Sequence, residues 1–355
     1  MSTYLPRAGA WRLRRTALVI GSGAGAAAAA LELQGAFEVI VLETAGDEPS
    51  QGRSSASLRA GLKGVGGSDA LRLDQPLREL GVDLDREFAE LARELPAATR
   101  HQRRWSADTW RLFELCRQMA LDPQVTPKMP DPRCLLEEAV RRGARRIRGV
   151  KILRLTIDAG RATAVVAAQG VRQTLYPASL LVLAAGGTAT PGILRRSGID
   201  CGPARFTDPV LLLSARRDGR DREIPTPFLV QREGFLLGPG LEPRRLCLRI
   251  LLADAPRARR REAEELGIEI FRRFGIGREE LRLRDEDSGQ SGGALPLAPG
   301  EAGSLHPAAL PENLYLADAT LLPAALGGPH LLTILALARA VARAASVRLR
   351  GLRAS

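Results

Sequence analysis

An apolar run, Ala17-Leu18-Val19-Ile20, leads directly into Gly21-Ser22-Gly23-Ala24-Gly25-Ala26. This order prescribes a buried strand, a tight turn and a helix, and it constrains the fold more than anything else in the chain. Gly21 permits the turn, and Gly23 lets the backbone approach a pyrophosphate. Ala26, small like the usual third glycine, lets helix and strand pack closely. The helix N-terminus then offers free N–H groups and a partial positive charge to the phosphates. Gly21, Gly23, Gly25 and Ala26 are therefore the first candidate cofactor-binding residues. A second strand, Glu38 to Leu42, ends in Glu43, about 20 residues past the first glycine. A carboxylate there accepts hydrogen bonds from ribose hydroxyls and repels a 2′-phosphate. The expected ligand is FAD or NAD rather than NADP.

A chain of 355 residues holds one large or two modest domains with a substantial core. Its formal charge of +12 invites a nucleic-acid reading. Yet 49 of the 52 basic residues are Arg, spread along the chain and mixed with 40 acids. Stretches such as Arg257 to Glu265 read as a solvated helix face. Aromatics make up only 4%, too few for base-stacking platforms, so no nucleic-acid partner is expected. Anionic substrates are favoured electrostatically. The four cysteines (Cys116, Cys134, Cys201, Cys247) form no CxxC pair, which argues against a zinc ribbon or compact iron–sulfur motif, and no metal is expected. A disulfide framework is unexpected in a chain of this size. The apolar stretch behind Arg12 to Arg15 is the nucleotide-binding strand rather than a signal peptide. No apolar run reaches about 18 residues, so no transmembrane segment is expected, and the expected location is cytoplasmic.

Strand, helix and strand occupy 16–43, and a Gly/Ser-rich loop containing Gly64 to Ser68 follows. From Pro76 to Gly143 the chain is polar and helical, with apolar residues at 3–4 spacing in Asp85 to Leu95 and Thr109 to Ala120. Pro127, Pro130 and Pro132 interrupt it. Alternation through 150–168 around Ala159-Gly160 predicts a hairpin. Leu180 to Ala184 is a fully apolar strand, followed by a turn and a short helix. Pro209 to Ser214, Pro227 to Gln231 and Leu246 to Ala253 are strand candidates, Arg257 to Phe274 an amphipathic helix, and Asp285 to Pro311 a Gly/Pro-rich loop. Asn313 to Asp318 is a strand ending in an acid, and a long helix begins near Leu331.

Three segments carry a family resemblance. Leu181 to Ile199, reading LVLAAGGTATPGILRRSGI, looks like the "VLAAG…TP..L..SGI" segment of glucose–methanol–choline (GMC) oxidoreductases. Asn313 to Asp318, with Pro323 and Leu332 to Ala338, resembles their C-terminal "NLYVADASVFP…LTIMALA" pattern. Gly64 to Ser68 resembles their flavin-approaching glycine loop. Residues 201–290 match by position more than by residue.

The resemblance implies an α/β fold: a Rossmann-like FAD-binding domain in three ββα layers with an inserted, reduced α+β substrate domain. The expected division is 13–75, 145–200 and 296–350 for the FAD-binding domain, 76–144 for a helical insert and 201–295 for a substrate or cap domain. It also implies FAD as cofactor and an enzyme that passes hydride from a CH–OH, or related activated C–H, donor to flavin N5. Gly21, Gly23 and Glu43 would hold the ADP half, and Ile152 would offer backbone bonds to adenine. Gly66, Gly67 and Ser68 would lie along the pyrophosphate or flavin. Asp318 would bind a ribityl hydroxyl, with Ala185, Gly186 and Ala319 completing the set. Leu332 and Thr333 would direct N–H groups at the flavin N1/O2 edge, where a helix N-terminus stabilises developing negative charge.

The family's catalytic histidine stands a few residues before a Gly-Gly or Gly-Thr pair. Here that pair is Gly292-Gly293, and Asp287 to Ser291 contain no histidine. Gln290 is the candidate replacement, a hydrogen-bonding group that takes no proton at neutral pH. The second catalytic position falls in Gly327-Gly328-Pro329-His330-Leu331, which makes His330 the candidate base. His306, before Pro307 in a Gly/Pro loop, is expected to be exposed, and His101 to lie in a solvated stretch. Cys134 reads as a small buried residue. The alternatives are a flavoprotein with other tailoring chemistry and a catalytically impaired FAD-binding partner subunit. Expected partners are a small-molecule or carrier-linked substrate and, as an open possibility, a protein partner or a second copy of the chain.

Overall fold

The structure is a computed structural model that describes residues 15–43, 68–69, 71–217, 226–240, 242, 244–252 and 257–351. The chain opens with β1 (Thr16–Ile20), α1 (Ala24–Glu32) and β2 (Glu38–Glu43). Next come β3 (Ser68–Asp69), α2 (Gln75–Glu79), α3 (Asp85–Glu94), α4 (Ala107–Gln118), β4 (Gln124–Val125), β5 (Lys128–Met129) and α5 (Arg133–Arg141). Then follow β6 (Arg145–Arg148), β7 (Lys151–Asp158), β8 (Arg161–Gln169), β9 (Arg172–Pro177), β10 (Leu180–Leu183) and α6 (Ala189–Arg196). The second half holds β11 (Phe206–Arg216), β12 (Phe228–Arg232), β13 (Phe235–Pro239), β14 (Arg245–Leu252), α7 (Arg257–Phe274) and β15 (Arg282–Gly292). It closes with β16 (Leu314–Leu316) and α8 (Leu331–Gly351).

Five parallel strands form the first sheet, in the order β16-β10-β1-β2-β6. β10 is buried along its whole length, as is β1 after Thr16, which is how a parallel sheet covered on both faces reads in sequence. Helix α1 packs on α8 and α5 to make the helical layer. The antiparallel sheet β7-β8-β9 adds Ile152, Leu155, Ala162 and Val165 to the same core and supplies the third layer. Asn313 pins that layer beside β16. Its Nδ2 donates to the carbonyls of Ala162 (2.7 Å) and Ser179 (3.0 Å), and its Oδ1 accepts from the Ala162 amide at 2.8 Å.

The second sheet is antiparallel, in the order β15-β11-β14-β13-β12-β4. Its side chains sort by strand alternation. Leu246, Leu248, Ile250 and Leu252 of β14, with Phe228, Val230, Phe235 and Leu237, face α4 and α7 and form a second core with Trp105, Leu112 and Phe271. Val210, Leu229, Leu236 and Leu251 lie on the opposite face and cluster with Leu71.

Several expectations need correction. The predicted loop beginning at Asp285 is, as far as Gly292, the end of the eleven-residue strand β15, because pairing with β11 satisfies its backbone whatever its side chains. The segment 76–144 is not one helical insert. Leu77, Leu91 and Leu136 belong to the core of the parallel sheet, whereas Leu112 and Cys116 of α4 belong to the second core. Cys134 is exposed on α5 rather than buried. Among the described residues no helix is long and apolar enough to cross a membrane, and no group of His, Cys, Asp and Glu is placed to hold a metal.

Candidate functional site

Because its strands are parallel, the first sheet brings the residues after β1, β2, β10 and β16 to one edge, where open α/β sheets bind ligands. Gly21 turns the chain there with φ +123°, and its amide donates to the Leu42 carbonyl at 2.9 Å. A Cβ on Gly21 would strike the Ala184 carbonyl, and one on Gly25 the Ala317 carbonyl. The tightest helix–sheet contact thus falls on Gly25, while Ala26 is simply buried beside it. Gly23 is different, because no atom of the described residues lies within 4 Å of where its Cβ would stand. It is also the N-cap of α1, with no side chain capping the helix. The first amides of α1 therefore receive no side-chain cap from the N-cap residue, which leaves them available to an anion.

Glu43 closes β2. Arg146 holds it, with Nε at 2.8 Å and Nη2 at 2.6 Å, and Arg148 Nε stands 3.5 Å away. All these contacts fall on Oε2. Both arginines come from β6, a strand whose Arg-Arg-Ile-Arg sequence carries no apolar alternation, so sequence reading missed them. The Val150 amide donates to the Glu43 carbonyl at 3.2 Å, which brings the start of β7 beside this acid. Ile152 is buried there, and its carbonyl accepts from Arg196 at 3.3 Å.

Asp318, 5% exposed, is held by the protein on both oxygens. Oδ2 accepts from the Gly186 amide (2.9 Å) and the Thr190 hydroxyl (2.5 Å), and Oδ1 accepts from the Thr320 amide at 2.9 Å. Thr190 Oγ1 in turn accepts from the Ala185 amide at 3.2 Å. This acid therefore locks the turn after β10 to the end of β16. The Ala319 carbonyl accepts from the Gly293 amide at 2.9 Å, which joins the end of β15 to the same edge. Gly187 packs so closely on the Ser291 carbonyl that it leaves no room for a Cβ. The main chain of Gln290 lies two residues upstream of Gly292, in β15. Ser68 pairs with Met129 in a short ladder. Gly66 and Gly67 lie outside the described residues.

His330 is buried and immediately precedes α8, where its carbonyl accepts the first intrahelical bond, from Ile334 at 2.8 Å. Its ring meets Phe206 edge to face at 6.1 Å, and Phe206 is the register partner of Gly292. The amides of Leu332 and Thr333 precede that first helical bond. The Thr333 hydroxyl donates to the Leu73 carbonyl at 2.8 Å, tying the head of α8 to the segment after β3. Beside it opens a cavity of about 340 Å³, walled by Leu71, Leu73, Thr126, Leu229, Leu236 and Leu326.

The other histidines do different work. His306 is buried rather than exposed, because its loop lays Leu305 and Leu310 on the core. Its Nε2 lies 3.1 Å from the Pro311 carbonyl, and its ring meets Tyr315 edge to face. Burial holds its pKa below the ordinary value. His101 is half-buried rather than solvated: Trp105 Nε1 donates to its Nδ1 at 2.9 Å, which leaves Nε2 to donate to the Thr126 carbonyl at 2.8 Å. It braces the cavity wall from behind. Burial pushes the Cys116 thiol up to about 12, so it offers no nucleophile.

Residues 105–205 match the family described as GMC oxidoreductase. Over that stretch the chain resembles the GMC oxidoreductases. Its fold resembles that of pyridoxine 4-oxidase from Mesorbium loti, with a TM-score of 0.68 at 15% identity over 93% of this chain and 98% of that one. No curated protein matches. A GMC oxidoreductase binds FAD. The residues present fit that group: the uncapped head of α1 opens onto unfilled space at Gly23, and Glu43 and the head of α8 stand at the same sheet edge.

Proposed function

We infer that this protein is a GMC-type oxidoreductase that oxidises the CH–OH, or a related activated C–H, of a small-molecule donor seated between the second sheet and the head of α8. Bound FAD supplies the hydride acceptor, its N5. His330 takes the hydroxyl proton on an imidazole nitrogen. The amides of Leu332 and Thr333 present a positive helix end where negative charge develops. Phe206 and the leucines of the cavity exclude water from the donor. One observation carries this reading: the buried His330 stands at the head of α8, on the edge where the sheet gathers its ligand-binding turns. Among the described residues the four cysteines form no disulfide, which suits the reducing cytoplasm.

The test is anaerobic bleaching of the flavin by a panel of alcohols, with pyridoxine included because the structural relative is named for it. His330→Ala should slow bleaching by about a hundredfold or more, and His306→Ala should leave it intact. Bleaching that survives in His330→Ala overturns the assignment. The lack of a histidine at 287–291 supports a second reading, a flavoprotein with other tailoring chemistry or a partner subunit with impaired catalysis. Yellow protein bleached by no alcohol, copurifying with another chain, would favour that reading.

A further inference from the structure

Among the described residues Arg249 has no ion-pair or hydrogen-bond partner, and its Nε is buried. This sets it apart from its neighbours on the sheet. Arg245 bonds Ser214, and Arg284 pairs with both Glu242 and Glu286. Alternation along β14 places Arg249 on the face of Leu251, opposite the face that packs on α4 and α7. That is the face whose Leu229 and Leu236 wall the cavity. Its register partners are Leu212 and Gly238. Gly238 carries no side chain to cover it, and Gly240 packs on its Cγ and Cδ, so two glycines leave the stem a bed on the sheet.

We propose that Arg249 binds the carboxylate of an elongated donor whose alcohol end lies at His330. The proposal rests on the oxidoreductase reading above and adds the class of substrate. A half-buried guanidinium left without a carboxylate is costly unless a ligand supplies one, and a planar bidentate acceptor suits it best. The leucine patch between Arg249 and the head of α8 accepts the apolar body of such a donor. From Phe206, which touches His330, to Leu212, which pairs with Arg249, β11 spans roughly 20 Å. Once both side chains reach inward, the span calls for a donor of roughly 10–15 Å. The net charge of +12 favours the approach of an anion.

The test compares 10-hydroxydecanoate with 1,10-decanediol, which match in chain length and alcohol but differ in the acid. Calorimetric binding to the yellow protein should favour the acid by tenfold or more. Arg249→Met should erase that preference while leaving diol affinity and thermal stability unchanged, and Arg249→Lys should restore part of it. Equal binding of the two compounds, binding of neither, or equal loss of both in Arg249→Met overturns the proposal. Calorimetry does not depend on turnover. Arg249-dependent binding of the acid without flavin bleaching would therefore uphold this inference and sink the oxidation chemistry instead.

Discussion

Two glycines two residues apart do opposite jobs, and substitution separates them. Gly25 faces the Ala317 carbonyl with no room for a Cβ, so Gly25→Ala should force α1 off the sheet and cost about 2–3 kcal/mol, read as a lowered denaturation midpoint. Gly23 faces open space, so Gly23→Ala should leave the apo-protein midpoint almost unchanged and weaken FAD binding, measured by fluorescence titration. Buried His306 makes a pH prediction. Burial depresses its folded pKa, Arg348 adds to the effect and the Pro311 carbonyl opposes it. Its contribution is therefore fully present above the unfolded value of about 6.5 and is lost as pH falls through the folded one. Urea midpoints taken from pH 8 down to pH 5 should decline, and His306→Gln should flatten that part of the decline. An unchanged slope would place the acid sensitivity elsewhere.

Helix α8 joins the site to the stability of the molecule. Its head carries the site, and its middle is anchored by Arg339 and Arg343 to acids of α1 and α3. Arg339, 2% exposed, bonds Glu94 at 2.6 and 2.9 Å, and Arg343 bonds Glu32, Glu87 and Glu90. For Glu90, burial works against ionisation, but hydrogen bonds from Arg343 and Arg86 outweigh it and hold its pKa below the usual carboxylate range. Arg339→Met should cost about 3 kcal/mol at pH 7 by leaving these acids under-compensated, and the deficit should narrow in acid as Glu90, which Arg339 also faces, protonates. A loss independent of pH would mean that packing, not charge, is what Arg339 contributes. At this scale the sequence was legible where pattern and pairing agree: Arg257 to Phe274 is helical over the predicted span, and Ala159-Gly160 turns the hairpin it promised. It was silent at β6 and β15, whose Arg-rich and acidic sequences are strands only because β2 and β11 offer them hydrogen-bonding edges.

The whole molecule holds two cores, and the proposed FAD site lies at the edge of the parallel sheet. Ligand linkage predicts that FAD at a hundred times its dissociation constant stabilises the fold by about 2.7 kcal/mol, seen as a rise in the apo-protein melting temperature on titration. No rise at saturating FAD would contradict the assignment of FAD to this sheet edge. The glycine turn, the acid after β2, the buried parallel strands and the long closing helix were all legible in the chain, because each is a local rule of conformation or burial. The family resemblance singled out His330. Tertiary structure alone decided that Arg146 clamps Glu43, that Asp318 spends both oxygens on its own protein, that His306 is buried, and that Arg249 finds no partner among the described residues on the leucine face. Those outcomes depend on which strands become neighbours, and pairing between segments a hundred residues apart leaves no local trace in either one.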